Sequence, residues 1–123
     1  MIDKDLVRIA IANLIGNAIK YNRPGGRVAL CAEETDSEVL VRVLDSGIGI
    51  PPEDQAKVFD KFFRSADTTA IERGGHGLGL YLVKQITELH HGGVTLTSRP
   101  GSGSEFCMRF RKISSMAQET ARF

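Results

Sequence analysis

The sequence predicts an α+β two-layer sandwich: one mixed, mainly antiparallel sheet of about four strands, with helices packed on one face. Three observations carry this. Asp3 to Tyr21 and Leu78 to His90 place apolar residues at three- and four-residue steps, the period of a helix buried on one side. Four runs, Arg27 to Glu34, Glu38 to Asp45, Val94 to Arg99 and Glu105 to Arg111, read as strands, paired by the short links Thr35-Asp36-Ser37 and Pro100-Gly101-Ser102-Gly103. The resulting order is helix, hairpin, short helix, loop, helix, hairpin.

Each element has local chemistry behind it. The first helix lacks proline, carries Asp3 and Asp5 at its positive end, and is stopped by Asn22-Arg23-Pro24-Gly25-Gly26. Ser46 to Pro52 is a glycine-proline loop. A short helix is expected from Pro52 to about Phe59, since it opens on proline followed by Glu53 and Asp54. Arg64 to Gly77 has little apolar content and reads as a long loop, of a length usually functional or disordered in a compact domain. The second long helix is closed by Gly92-Gly93. Residues 1–113 are expected to form the domain and 114–123 a polar tail.

Composition narrows the function. With 123 residues the chain makes one domain with a genuine core. Sixteen Lys+Arg against fifteen Asp+Glu leave a net charge of +1, which argues against a nucleic-acid binder driven by bulk charge. No apolar run approaches the roughly 20 residues of a bilayer span, and Met1-Ile2-Asp3-Lys4-Asp5 is no signal peptide, so a cytoplasmic domain is expected. Cys31 and Cys107 fall in apolar, strand-like runs and are expected as reduced core residues. The three histidines have no zinc-site spacing.

Four clusters could carry chemistry. Asn13, Asn17 and Tyr21 are four apart and share one helix face, with Lys20 beside them. An amide oxygen can ligate a hard cation such as Mg2+, and a lysine can meet a phosphate. The spacing fits equally well with amides that are exposed or cap local backbone. Asp45-Ser46-Gly47-Ile48-Gly49-Ile50-Pro51 follows a strand. Its carboxylate could accept from an exocyclic amine, and its glycines would let a flat ring lie on the backbone, although an ordinary turn has the same pattern. Val58-Phe59-Asp60-Lys61-Phe62-Phe63-Arg64 offers aromatic anchors, Phe59 as core packing among them, and an arginine suited to phosphate. Gly74-Gly75-His76-Gly77-Leu78-Gly79-Leu80 runs into a helix and could present N–H groups to an anion, but lacks the Gly-Lys-Ser/Thr of a Walker loop. A glycine hinge without a ligand is the alternative, with His76 as a variable position.

In this order, the four clusters resemble the asparagine box, first glycine box, phenylalanine box and second glycine box of the ATP-binding catalytic domain of sensor histidine kinases. That domain belongs to the superfamily of gyrase, the ninety-kilodalton chaperone and MutL. The boxes span Asn13 to Leu80, and the likeness extends from Asp3 to about Arg111. The resemblance implies ATP and Mg2+ as ligands. It makes Asn17 the magnesium ligand with Asn13 beside it, and sets Lys20 and Tyr21 near the phosphates and the ring. Asp45 becomes the carboxylate that reads the adenine amine, with Gly47, Gly49, Ile50 and Phe59 around the base. Gly75, His76, Gly77, Leu78, Gly79 and Leu80 fall on the phosphate side. Arg64 becomes a partner of the γ-phosphate; with Asn13 and Lys20 it forms the implied catalytic set. A loop from Ser65 to Gly74 is expected to tighten around nucleotide.

The implied activity is transfer of the γ-phosphate to a histidine on a separate helical dimerisation domain, with a response regulator downstream and a parent kinase that membrane anchoring would suit. The ATPase relatives place a glutamate where Asn13 stands; an amide is no base, so hydrolysis should be slow. No acceptor histidine followed by an acid precedes Asn13, so a domain inactive on its own is expected. The family's first strands are also missing ahead of the helix, which predicts an exposed sheet edge and possible pairing of two copies. Gly16 stands where many relatives carry a polar residue. A degenerate nucleotide-binding or scaffold module is the competing reading.

Overall fold

The computed structural model describes residues 2–61 and 79–112. Arg64, Gly75, His76, Gly77 and Leu78, with Phe62, Phe63, the segment 65–74 and the tail, lie outside the described residues. The architecture is the expected one: helix α1 (Lys4–Lys20), strands β1 (Val28–Glu34) and β2 (Glu38–Asp45), the short α2 (Pro52–Gln55), helix α3 (Gly79–Leu89), and strands β3 (Gly93–Arg99) and β4 (Gly103–Arg111). Among the described residues the sheet has four strands in the order β1-β2-β4-β3. Every ladder is antiparallel, so the sheet is not mixed.

Asp3 caps α1, its carboxylate accepting from the N–H groups of Asp5 and Leu6. Ala10, Leu14 and Ala18, four apart, bury one stripe of the helix. That stripe meets Val83 and Ile86 of α3 and the inward residues Val41, Val43, Phe106, Met108 and Phe110 of β2 and β4. The register sets Val41 opposite Met108 and Val43 opposite Phe106, so the two central strands supply one continuous apolar floor.

His90 ties the two ends of the described chain together. Its buried ring accepts from the Asp3 N–H at 3.0 Å through Nε2, while Nδ1 lies 2.8 Å from the Ile86 carbonyl. Its own carbonyl accepts from Arg111 N–H, and the ring meets Phe110 edge-on at 5.5 Å. The histidine at the helix end is thus a core bracket.

Two further expectations need correction. α2 stops at Gln55 rather than near Phe59, because the chain tightens into successive turns, Lys57 N–H to Asp54 O and Asp60 N–H to Lys57 O. Those turns drop Val58 and Phe59 onto the core. Both cysteines are free, as expected, but neither is a buried core residue: Cys31 is exposed and Cys107 half-buried. The two-residue period puts both on the sheet face away from the helices, flanking Arg42 in one cross-strand row. The mobile-loop and lid expectation for residues 65–74 falls outside the described residues.

β1 is one of the two edge strands, the other being β3, and is exposed at every position. Leu30 and Val28, which share the helix-side face with Val43 and Asp45 of β2, remain 52% and 39% exposed. Among the described residues no helix is long and apolar enough to cross a membrane.

Candidate nucleotide site

The sheet end that carries Asp45 is where α1 finishes, where the glycine loop turns and where the β3–β4 hairpin closes. Asp45 is the last residue of β2, pairs with Ser104, and is half-buried. Its Oδ1 accepts from the Gly47 N–H at 2.9 Å. Burial pushes the Asp45 carboxyl above its ordinary range, and the N–H groups of Gly47 and Ser104 pull it partly back. A carboxylate fixed by backbone donors at the rim of the core is an acceptor of defined direction.

The two glycines of the loop are required by close approach. A Cβ on Gly47 would stand 2.5 Å from the Tyr21 carbonyl and 2.8 Å from Asp45 Oδ1. Gly49 has φ +74°, and a Cβ there would meet the Arg99 carbonyl at 2.2 Å. The loop is stitched to its surroundings: Ile48 N–H donates to Tyr21 O, and Ile50 N–H donates to Ser98 Oγ at 2.8 Å. Gln55 spans the same corner, donating to the carbonyls of Ile50 and Ser98 at 2.9 and 3.0 Å.

On α1, Asn13 donates from Nδ2 to the Ile9 carbonyl at 2.9 Å, as a helical amide often does. Its Oδ1 lies 3.1 Å from the point where a Cβ on Gly79 would sit, so the glycine lets the start of α3 come close to the asparagine. Asn17 is half-buried one turn further on, and its carbonyl accepts from Tyr21 N–H. Lys20 Nζ sits 5.9 Å above the Tyr21 ring, a cation–π contact. Phe59 meets Phe106 edge-on at 6.0 Å and, like Ile50 and Leu80, packs against the core.

The structure therefore brings together Tyr21, Asp45 and Gly47 through direct bonds and close contacts, Gly49 with Arg99, and Asn13 with Gly79. At this corner a half-buried carboxylate stands beside two glycines whose missing side chains let the Tyr21 and Arg99 carbonyls pack against the loop. Among the described residues no group of three or more His, Cys, Asp and Glu could hold a metal.

Sequence reasoning missed Arg23, Ser98, Ser104 and Gln55. Two of them carried a signal. Along β3 the inward positions run Val94, Leu96, Ser98, and along β4 Phe110, Met108, Phe106, Ser104. The polar residue breaking each apolar series falls at the Asp45 end, where Ser98 and Ser104 share a 2.8 Å bond.

Comparison with known proteins agrees with this fold. Residues 2–113 match the model of the histidine kinase-, DNA gyrase B- and HSP90-like ATPase family. The chain is 41% identical over 106 residues to the sensor-like histidine kinase SenX3 of Mycobacterium tuberculosis, covering 86% of this chain and 26% of that one. It is 36% identical over 110 residues to the sensor protein SrrB of Staphylococcus aureus, covering 89% of this chain and 19% of that one. The chain thus spans about a quarter or less of these relatives. Among solved structures it resembles the mycobacterial sensor histidine kinase MprB, with a TM-score of 0.78, 32% identity, and coverage of 89% and 74% of the two chains. Full-length ShkA in complex with AMPPNP gives a TM-score of 0.71 and 31% identity, over 85% of this chain and 21% of that one. The chain belongs to the histidine kinase-, DNA gyrase B- and HSP90-like ATPase family, and the relatives it matches are sensor histidine kinases.

Proposed function

We propose that this domain binds Mg-ATP at the Asp45 corner and donates the γ-phosphate to a histidine on a separate dimerisation domain, in two-component signalling. The observation that carries the reading is the half-buried Asp45 carboxylate, held in direction by the Gly47 N–H at the sheet end where α1 finishes and the glycine loop turns. The AMPPNP complex of the similar ShkA structure supports it. Asp45 accepts from the adenine amine, and the loop backbone at Gly47 and Gly49 lines the ring together with Ile50 and Phe59. Tyr21 sits at the ring edge. Lys20 brings positive charge toward the phosphates.

Asn17 offers its amide oxygen to Mg2+, with Asn13 at the same site. The metal supplies charge neutralisation on the phosphates when bound. Asn13 takes no proton from water, which keeps the γ-phosphate for another nucleophile. Arg64, Gly75, His76, Gly77, Leu78, Gly79 and Leu80 complete the phosphate side, and Arg64 answers the γ-phosphate charge. Such a domain works where ATP is, on the cytoplasmic side of any anchored parent, and a response regulator takes the phosphoryl group onward.

The test is to mix the chain with a purified acceptor-histidine domain and labelled ATP. Acid-labile, histidine-linked label on the acceptor is expected, with Asn17→Ala lowering it at least about tenfold. Nucleotide binding without any label on the acceptor would instead make the domain a scaffold.

A second copy of this chain is also proposed as a partner, because β1 offers an unpaired edge with Leu30 and Val28 open. Sedimentation should show a dimer population rising with concentration. A strict monomer at the highest concentration overturns the pairing.

A further inference from the structure

We propose that Arg23, in the turn after α1, is a positioning residue that sets the base selectivity of the Asp45 corner. The inference rests on the reading of Asp45 as the carboxylate that meets the adenine amine. The Arg23 guanidinium joins three segments far apart in sequence. Its Nη2 donates to the Gly47 carbonyl at 2.9 Å, 24 residues away, and to the Gly101 carbonyl in the β3–β4 turn, 78 residues away. One cationic donor thus holds two backbone acceptors, an interaction stronger than a neutral hydrogen bond.

The consequence for Asp45 follows from what else holds Gly47. Its N–H points at Asp45 Oδ1 and its carbonyl at Arg23, so this buried glycine is gripped on both sides. The next peptide N–H, that of Ile48, is held by the Tyr21 carbonyl, and the Ile48 carbonyl accepts from Gly101 N–H at 2.7 Å. Arg23 therefore closes a ring of bonds through Gly47, Ile48 and Gly101. That ring fixes the Gly47–Ile48 peptide, which shares the Gly47 Cα with the preceding peptide whose N–H orients the Asp45 carboxylate.

The turn that presents Arg23 is itself fastened. Arg23 N–H donates to Asn22 Oδ1, and Asn22 Nδ2 donates to the Arg27 carbonyl, each at 2.9 Å. Ser46 Oγ accepts from Arg27 N–H at 2.7 Å, tying the turn to the residue next to Asp45. The guanidinium is delivered from a braced platform. Without it both carbonyls turn to water, Gly47 is held from one side only, and the carboxylate loses its fixed direction. A site fixed before binding discriminates more sharply than one that must be ordered by its ligand.

The test uses the full chain with three forms: wild type, Arg23→Met and Arg23→Lys. Binding of a Mg-bound non-hydrolysable ATP analogue and of its inosine counterpart, which lacks the exocyclic amine, is measured by calorimetry, with thermal midpoints recorded alongside. Arg23→Met is expected to weaken the adenine nucleotide about tenfold, to leave the inosine nucleotide nearly unchanged, and so to narrow their ratio. Arg23→Lys, which keeps the charge but not the fork, should recover part of the ratio. An unchanged ratio overturns the proposal, whether both affinities hold or both fall together. If Arg23→Met does not fold, the ratio in Arg23→Lys decides: intermediate supports the role, wild-type overturns it. Absence of adenine-nucleotide binding by folded wild type would be a different failure, that of the Asp45 reading itself, and the role of Arg23 would fall with it.

Discussion

Asp45→Asn should weaken adenine-nucleotide binding about a hundredfold while leaving the domain as stable as before or slightly more so. The first half follows from the loss of a charge-assisted hydrogen bond, about 1.5–3 kcal/mol, together with an amide that turns a donor toward the ligand's own amine. The second half follows from the direction of the Asp45 shift. Burial raises its carboxyl above 3.8, so ionised Asp45 costs the folded state something at neutral pH, and a neutral amide removes that cost. For a carboxyl raised on folding, the native state holds its proton more readily than the unfolded chain does. Stability from this group is therefore fully present below the unfolded value and lost as pH rises through the folded one. Affinity runs the other way: lowering pH through the raised value discharges the acceptor and weakens adenine binding, at a pH where an ordinary aspartate would still be ionised. Titration calorimetry and thermal melts across that range read both trends. A variant that melted lower and bound as before would sink the assignment.

Phe110→Ala should destabilise the domain by about 3–5 kcal/mol, a large part of what a small domain possesses. Phe110 is completely buried on the inward face of β4, beside Met108 and Phe106, and supplies the edge-on partner of His90. Its removal opens a cavity under the floor of the sheet and leaves the His90 bracket without its wall. For a domain of this size the expected fall in thermal midpoint is at least about 12 °C, measurable by circular dichroism. A fall of only a degree or two would mean that the β4 end of the core is looser than its burial indicates.

Much of this architecture was legible because its signals are local. The Asp3 cap, the apolar stripe through Ala10, Leu14 and Ala18, and the bounds of β2 all follow from spacing within a single element. At the candidate site, the Asp45 carboxylate and the close-packed glycines after it could be singled out by residue type alone. What escaped depends on distant partners. Cys31 sits in an apolar run, yet the strand it belongs to is an edge, and an edge strand can hold apolar residues without burying them. Arg23 lies in a segment that reads as turn chemistry; its role depends on carbonyls 24 and 78 residues away, which no periodicity reports. Gln55 looks like the end of a short helix and becomes a strut only once β3 lies beneath it.

The bracket at His90 also decides how the domain responds to force. Asp3 and Arg111 are both bonded to this one residue, so the two ends of the described chain are held at the same extremity of the sheet. The Asp45 corner lies at the opposite extremity, one full length of α1 away, which for 17 residues is about 25 Å. Tension or torque applied through flanking chain is taken up at the His90 end, where a few bonds can open without moving Asp45. A domain gripped in this way can be swung, tilted or pulled by its neighbours while its distal corner keeps its shape.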